Sequence, residues 1–157
     1  MTQRSVTHAT FCIERTFDAA PPRVFAAFAT LEAKSQWFTG APGWISVDRE
    51  FDFRIGGREV SKVGPPGGPL HIFEARYWDI VPDERVVFSY DMHIGEARIS
   101  VSLTTIELKS AGAGTRLTFT EQGAFLDGFD DPKQREDGTR QLLDALETSL
   151  TRAIAQA

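Results

Sequence analysis

Between Gly43 and Gln122 the sequence alternates apolar and polar residues with a period of two, broken only by short clusters rich in glycine, proline or acidic residues. No feature constrains the fold more, because strands joined by such short turns pair antiparallel and leave no room for crossovers. Trp44 to Val47 is short and apolar; Phe51, Phe53 and Ile55 then alternate with Asp52 and Arg54, and Gly56-Gly57 marks a tight turn or bulge. Further strands are expected over Arg58–Val63, His71–Ile80, Arg85–Ile94, Ala97–Leu108 and Thr115–Gln122. The stretch Gly64–Pro69 is too rich in proline and glycine for regular structure and is read as a loop, with a lid over a cavity as its functional alternative.

The flanks differ. Val6 to Phe17 alternates, with Phe11, Ile13 and Phe17 on one side and Thr10, Glu14 and Thr16 on the other, as in a half-buried strand. Pro21-Pro22 fits a first helical turn and not a central strand, so a helix follows, carrying Val24, Phe25, Phe28 and Leu31 at helical spacing. Thr30 is placed to cap a second short helix ending in Trp37-Phe38. At the far end Asp131-Pro132 opens a long helix whose Leu142, Leu143, Leu146, Leu150, Ala153 and Ile154 form one apolar stripe. Gly138 within it signals a break or a close approach to the sheet. A curved sheet of about seven strands cannot bury its own concave face. The terminal helix fills one side of that concavity, and the remaining space is a pocket.

The 157 residues, 41% hydrophobic and 25% charged, suit one α+β domain spanning 1–157. Twelve Phe are far more bulky apolar surface than a small sheet usually hides, and a lined cavity accommodates it. A net charge of −5 with no basic stripe argues against nucleic acid and anionic membrane surfaces as partners. The lone Cys12, the lack of a leading apolar run and the lack of any stretch of membrane-spanning length point to the cytoplasm. An exposed edge strand makes a homodimer an open expectation.

Catalytic signatures built on Ser, paired Cys, His-Glu-x-x-His or a phosphate loop are absent, so no cofactor is expected. His8, His71 and His93 match no metal-ligand spacing, and no metal is expected. In Tyr90-Asp91-Met92-His93 the alternation leaves two readings: Tyr90 and Met92 face inward as ligand contacts, or Asp91 and His93 do as an acid/base pair. Glu121 shares parity with Leu117 and Phe119, which places a carboxylate inside, either as acid/base or ligand anchor or paired structurally with Arg15 or Arg98. Candidate catalytic groups are therefore Glu121, His93 and Tyr90. The expected cavity wall comprises Trp37, Trp44, Phe53, Tyr77, Phe88, Met92, Phe119, Phe125, Leu142 and Leu146, with Trp78 a further candidate for its mouth.

Several segments resemble the START-like, Bet v 1-like helix-grip (SRPBCC) superfamily, in its branch named for the activator of the heat-shock protein 90 ATPase. They are Ile13-Glu14-Arg15-Thr16-Phe17 through Pro21 to Phe25, the pair Trp37-Phe38, Phe53-Arg54-Ile55-Gly56-Gly57-Arg58, Asp79-Ile80-Val81-Pro82 through Val86, and Gly114-Thr115-Arg116-Leu117 through Gly123. The resemblance implies a helix-grip fold with a ligand cavity between sheet and C-terminal helix. It specifies function weakly, since the superfamily includes lipid carriers, polyketide cyclases, stress proteins and co-chaperone modules. Many relatives carry Trp after the glycine near the start of the terminal helix; here Thr139 follows Gly138, which implies a cavity altered at that end. Three roles are thereby open: binding a hydrophobic or aromatic small molecule, cyclase- or hydrolase-type catalysis in the same cavity, and co-chaperone action on the heat-shock protein 90 ATPase. In the eukaryotic activators the domain is the C-terminal half of a larger protein.

Overall fold

A computed structural model describes residues 3–156, with the side chains of 153–156, Ala153 and Ile154 of the apolar stripe among them, outside that description. The chain runs β1 (Val6–Phe17), α1 (Pro21–Ala29), α2 (Leu31–Lys34), β2 (Ile45–Phe51), β3 (Arg58–Gly64), β4 (His71–Val81), β5 (Arg85–Ile94), β6 (Ala97–Ala111), β7 (Gly114–Leu126) and α3 (Pro132–Gln156). The strands form one sheet in the order β1-β7-β6-β5-β4-β3-β2, every pair antiparallel. From β2 to β7 this is a meander, as the short turns require. The first strand instead lies at the far edge beside β7, so α1 and α2 carry the chain across the concave face from one edge of the sheet to the other.

Each helix starts for a different local reason. Prolines in the first turn of α1 supply preset φ angles, and its N-cap Ala20 makes no side-chain bond. In α2 the Thr30 hydroxyl accepts from Ala33 N at 3.1 Å, and in α3 Asp131 Oδ1 accepts from Lys133 N at 3.0 Å. Leu143, Leu146 and Leu150 of α3 are buried in the core with Phe11, Ile13 and Phe17 of β1 and Val24 and Phe28 of α1. Each such side chain contributes about 1.5–3 kcal/mol through burial.

The strand pattern needs two corrections. Trp44–Val47 and Phe51–Ile55 are not separate strands: β2 is continuous from Ile45 to Phe51, and Phe53 and Ile55 fall in the turn that follows. That turn depends on its glycines, since Gly56 has φ +83° and a Cβ on Gly57 would overlap the Asp52 carbonyl oxygen. Gly138 neither breaks α3 nor touches the sheet; the helix runs through it and a Cβ there would meet nothing within 4 Å. Its only structural consequence is the weaker helix propensity of glycine.

Candidate functional site

Beneath α2 and α3 the concave face of the sheet encloses an apolar cavity of about 70 Å³. Of the expected wall, Trp37, Phe88, Tyr90, Phe119, Glu121 and Leu142 line it. Thr139, expected to alter one end of the cavity, and Leu143 of the apolar stripe line it too, and Phe28, Lys34, Phe38, Phe73 and Ile106, which sequence reasoning did not anticipate, complete the lining. The space is well below the ~300–1,000 Å³ of a pocket for a drug-sized molecule, and admits a few waters or part of a single ring.

The remaining expected residues lie behind or beside this wall. Phe53 packs edge-on to Phe25 and Tyr77, with centroids 5.7 and 5.0 Å apart. Leu146 is fully buried in the core, and Met92 packs against that core. Phe125 lies under the Arg135 guanidinium at 5.3 Å, and Trp44 packs at a tilt against His71, with ring centroids 4.5 Å apart. Trp78 is no part of the mouth. It alternates with the buried Phe73, Ala75 and Tyr77 and so points outward, 55% exposed, where its indole donates to Ser89 Oγ at 2.8 Å.

The ambiguity of β5 resolves in favour of Tyr90 and Met92. Tyr90 is buried in the core, Met92 packs against it, and Asp91 pairs with Arg98 on the other side at 3.1 Å. A register shift between Met92 and His93 sets His93 opposite Arg98 and Ile72, and it does not line the cavity. The Asp91–His93 acid/base pair is therefore not assembled there.

Two buried polar clusters border the cavity. The first joins β5, β6 and β7 to the first turns of α3. The Tyr90 hydroxyl lies 2.9 Å from both Glu121 oxygens, and Thr104 Oγ1 donates to Glu121 Oε1 at 3.1 Å. Arg135 donates to Tyr90 Oη at 2.9 Å, Ser100 Oγ at 2.8 Å and Asp130 Oδ2 at 2.7 Å, and its Nη1 stands 3.7 Å from Glu121 Oε2. The partners expected for Glu121 are engaged elsewhere: Arg15 pairs with Asp144 at 2.6 Å and Arg98 with Asp91. Burial raises the Glu121 pKa above the usual carboxylate range, against the opposing pull of Arg135 and of the bonds from Tyr90 and Thr104. Burial, and then the Glu121 carboxylate, raise the Tyr90 pKa too. A carboxyl held toward its neutral form beside a phenol can give or take a proton from a molecule in the cavity.

The second cluster joins α2 to β2, β3 and β4. Lys34 Nζ donates to Glu59 Oε1 at 2.6 Å and the Tyr77 hydroxyl donates to the same oxygen at 2.5 Å. Arg49 Nη2 stands 3.8 Å from Glu59 Oε2. Glu59 is wholly buried and Lys34 is 4% exposed. The Lys34 ammonium lies among aromatic faces, 4.7 Å from the centroid of Phe38 and 5.8 Å from those of Phe51 and Phe73. Burial lowers the Lys34 pKa and the neighbouring Glu59 holds it up. Glu59 gave little sequence signal, because β3 reads Glu59-Val60-Ser61-Lys62 and the valine suggests the opposite face as the inner one. The register opposes that: Glu59 pairs with Ala75 and Phe51, and Ser61 with Phe73, all toward the concave side.

Among the described residues no group of three or more His, Cys, Asp or Glu could hold a metal ion. No described helix is long and apolar enough to cross a membrane.

An antiparallel sheet gripping a long C-terminal helix over an interior cavity defines a helix-grip domain of the START-like, Bet v 1-like class. Within that class the chain belongs to the family described as activator of Hsp90 ATPase homolog 1-like protein, which matches residues 18–151. The crystal structure of the Mll3558 protein from Rhizobium loti is similar, with 52% identity over 92% of this chain and 99% of that one, at a TM-score of 0.86. An uncharacterized protein from Rhizobium leguminosarum is 46% identical over 96% of this chain and 99% of its own, at a TM-score of 0.91. CV1439 from Chromobacterium violaceum shares 27% identity over 90% and 96% of the two chains, at a TM-score of 0.75. No curated protein matches.

Proposed function

We propose that this domain binds a small hydrophobic or aromatic molecule in the cavity between the sheet and α3. The observation that carries the reading is the lining itself. Phe28, Trp37, Phe38, Phe73, Phe88 and Phe119 leave a space unfilled in the middle of the core, with Lys34 and Glu121 as polar groups within reach of its contents. A core built for stability alone closes such gaps, since each cavity forfeits dispersion contacts and burial. The space as it stands takes part of a ring, and a whole single-ring ligand requires α2 and the ring of Phe38 to yield.

A thermal-shift screen with one-ring aromatics tests this. At a ligand concentration of about 100 Kd, stabilisation of about 2.7 kcal/mol should raise Tm by roughly 5–10 °C. Thr139→Leu, which adds bulk to the wall, should abolish the rise. A flat response across a broad apolar library would overturn the proposal.

Glu121 favours a second reading, catalysis of the cyclase or hydrolase type in the same cavity, because a buried carboxyl with a raised pKa beside Tyr90 is suited to proton transfer. Under that reading Glu121→Gln abolishes turnover of a bound molecule while leaving its affinity within about threefold. The family name suggests co-chaperone action as a third role; stimulation of a bacterial heat-shock protein 90 ATPase by the purified domain is the result it requires.

A further inference from the structure

The two ends of the cavity differ in electrical character. At the Glu121 end the one cation, Arg135, is matched by Asp130, and every Arg135 bond is to an oxygen of its neighbours. At the Lys34 end two cations, Lys34 and Arg49, share the single carboxylate of Glu59. Of the three N–H donors on Lys34, one reaches Glu59 and the others face aromatic rings. The Nε and Nη2 atoms of Arg49 and Oε2 of Glu59 are buried without any hydrogen-bond partner, and Arg49 has only a 3.4 Å contact from Nη1 to Ser35 Oγ. Buried polar groups are rarely left unpaired, and a cationic pair with spare donors is suited to a small anion. The ring of Phe38, part of the cavity wall, lies 4.7 Å from Lys34 Nζ and 5.6 Å from Arg49 Cζ, so both charges act on the same corner of the space.

We propose that the ligand of this cavity carries a carboxylate or a similarly small anionic group, bound by the Lys34 ammonium with the charge of Arg49 behind it, and lays its apolar body along Phe73 and Phe88 toward Tyr90. The inference rests on the cavity being a ligand site. It fixes an orientation as well, since at the Glu121 end Arg135 is already matched by Asp130 and offers an anion no free cation. Binding would also supply Lys34 with a second counter-charge, opposing the loss of charge that burial favours.

Benzoate, benzamide and benzylamine serve as anionic, neutral and cationic probes of nearly equal size. In an amide-resolved NMR titration of the full chain, benzoate should bind about tenfold more tightly than benzamide, and benzylamine least. Glu59→Gln, which frees Lys34 from its only carboxylate partner while leaving an acceptor for Tyr77, should tighten benzoate further. The double variant K34M/E59Q, in which only Arg49 behind the site keeps its charge, should lose most of the preference for benzoate over benzamide, with its spectrum reporting a retained fold. Equal affinity for benzoate and benzamide in the unmodified protein would overturn this inference and leave the ligand-site reading intact. So would a benzoate preference undiminished in K34M/E59Q, or weaker benzoate binding by Glu59→Gln. Failure of all three probes to perturb the residues lining the cavity would overturn both.

Discussion

The two buried clusters flanking the cavity are built from the same residue types and differ in how completely they are paired. Around Glu121, both carboxylate oxygens have donors, and Arg135 distributes its hydrogen bonds over Tyr90, Ser100 and Asp130. Around Glu59, one carboxylate oxygen and two guanidinium nitrogens lack partners, and the only helix involved is the single turn Leu31–Lys34. The Glu121 network, in which the buried Ser102 hydroxyl alone lacks a partner among the described residues, fastens elements together: Arg135 ties the start of α3 to β5 and β6, which fixes the helix over the sheet. A network with spare donors and an excess of positive charge is costly to the folded state and is the better place to look for binding.

That contrast can be broken experimentally, and the largest effect should come from the Lys34 side. Glu59→Leu leaves Lys34 and Arg49 buried without a counter-charge, and should lower unfolding free energy by about 3–5 kcal/mol in urea melts. K34M/E59Q, which removes both charges of the pair, should recover most of that loss. If the single variant loses less than the double, the pair is not acting as a buried ion pair at all. On the other side, Arg135→Met should lose about 2–4 kcal/mol, because Asp130 keeps its charge without its cation and Tyr90 and Ser100 lose a buried donor. Early hydrogen exchange in the first turns of α3 would show that the loss lies in helix docking.

The dependence on pH sharpens the comparison. Glu121 has a folded-state pKa raised above its ordinary 4.5, so the folded chain holds that proton to higher pH than the unfolded chain does. Its contribution is fully present below the ordinary carboxylate value and is lost as pH rises through the folded one. The stability of the unmodified protein minus that of Glu121→Gln should therefore fall as pH is raised from the acid side toward neutrality. A difference that rises instead would mean that Arg135 keeps Glu121 ionised and that the cluster is a salt bridge. The smallest expected effect is at Thr30, whose hydroxyl caps the helix that delivers Lys34. Thr30→Ala should cost about 1 kcal/mol in chemical melts and loosen α2 alone.

Most of the fold was legible because it rests on local rules. Alternation located the strands, short turns demanded antiparallel pairing, and Asp131-Pro132 marked the start of α3. Parity placed Glu121 inside correctly, since Leu117 and Phe119 share its face in one uninterrupted strand. The reasoning failed at Trp78, an aromatic assigned to the mouth although alternation with the buried Tyr77 points it outward. It failed also at β3, where Val60 and Glu59 are both buried and hydropathy cannot distinguish the two faces.

By itself the sequence determined a seven-stranded antiparallel sheet, two short helices, one long apolar-striped helix, and an aromatic-rich interior containing Glu121. Only the tertiary structure decided which charges meet. Lys34 reaches Glu59 because α1 and α2 cross from β1 to the opposite edge of the sheet, and Arg135 reaches Tyr90 and Glu121 because α3 folds back over β5 to β7. Partners 25 and 45 positions apart leave no periodic trace in the chain. Their pairing follows from the curvature and packing of the whole sheet, and so does the net charge of each end of the cavity.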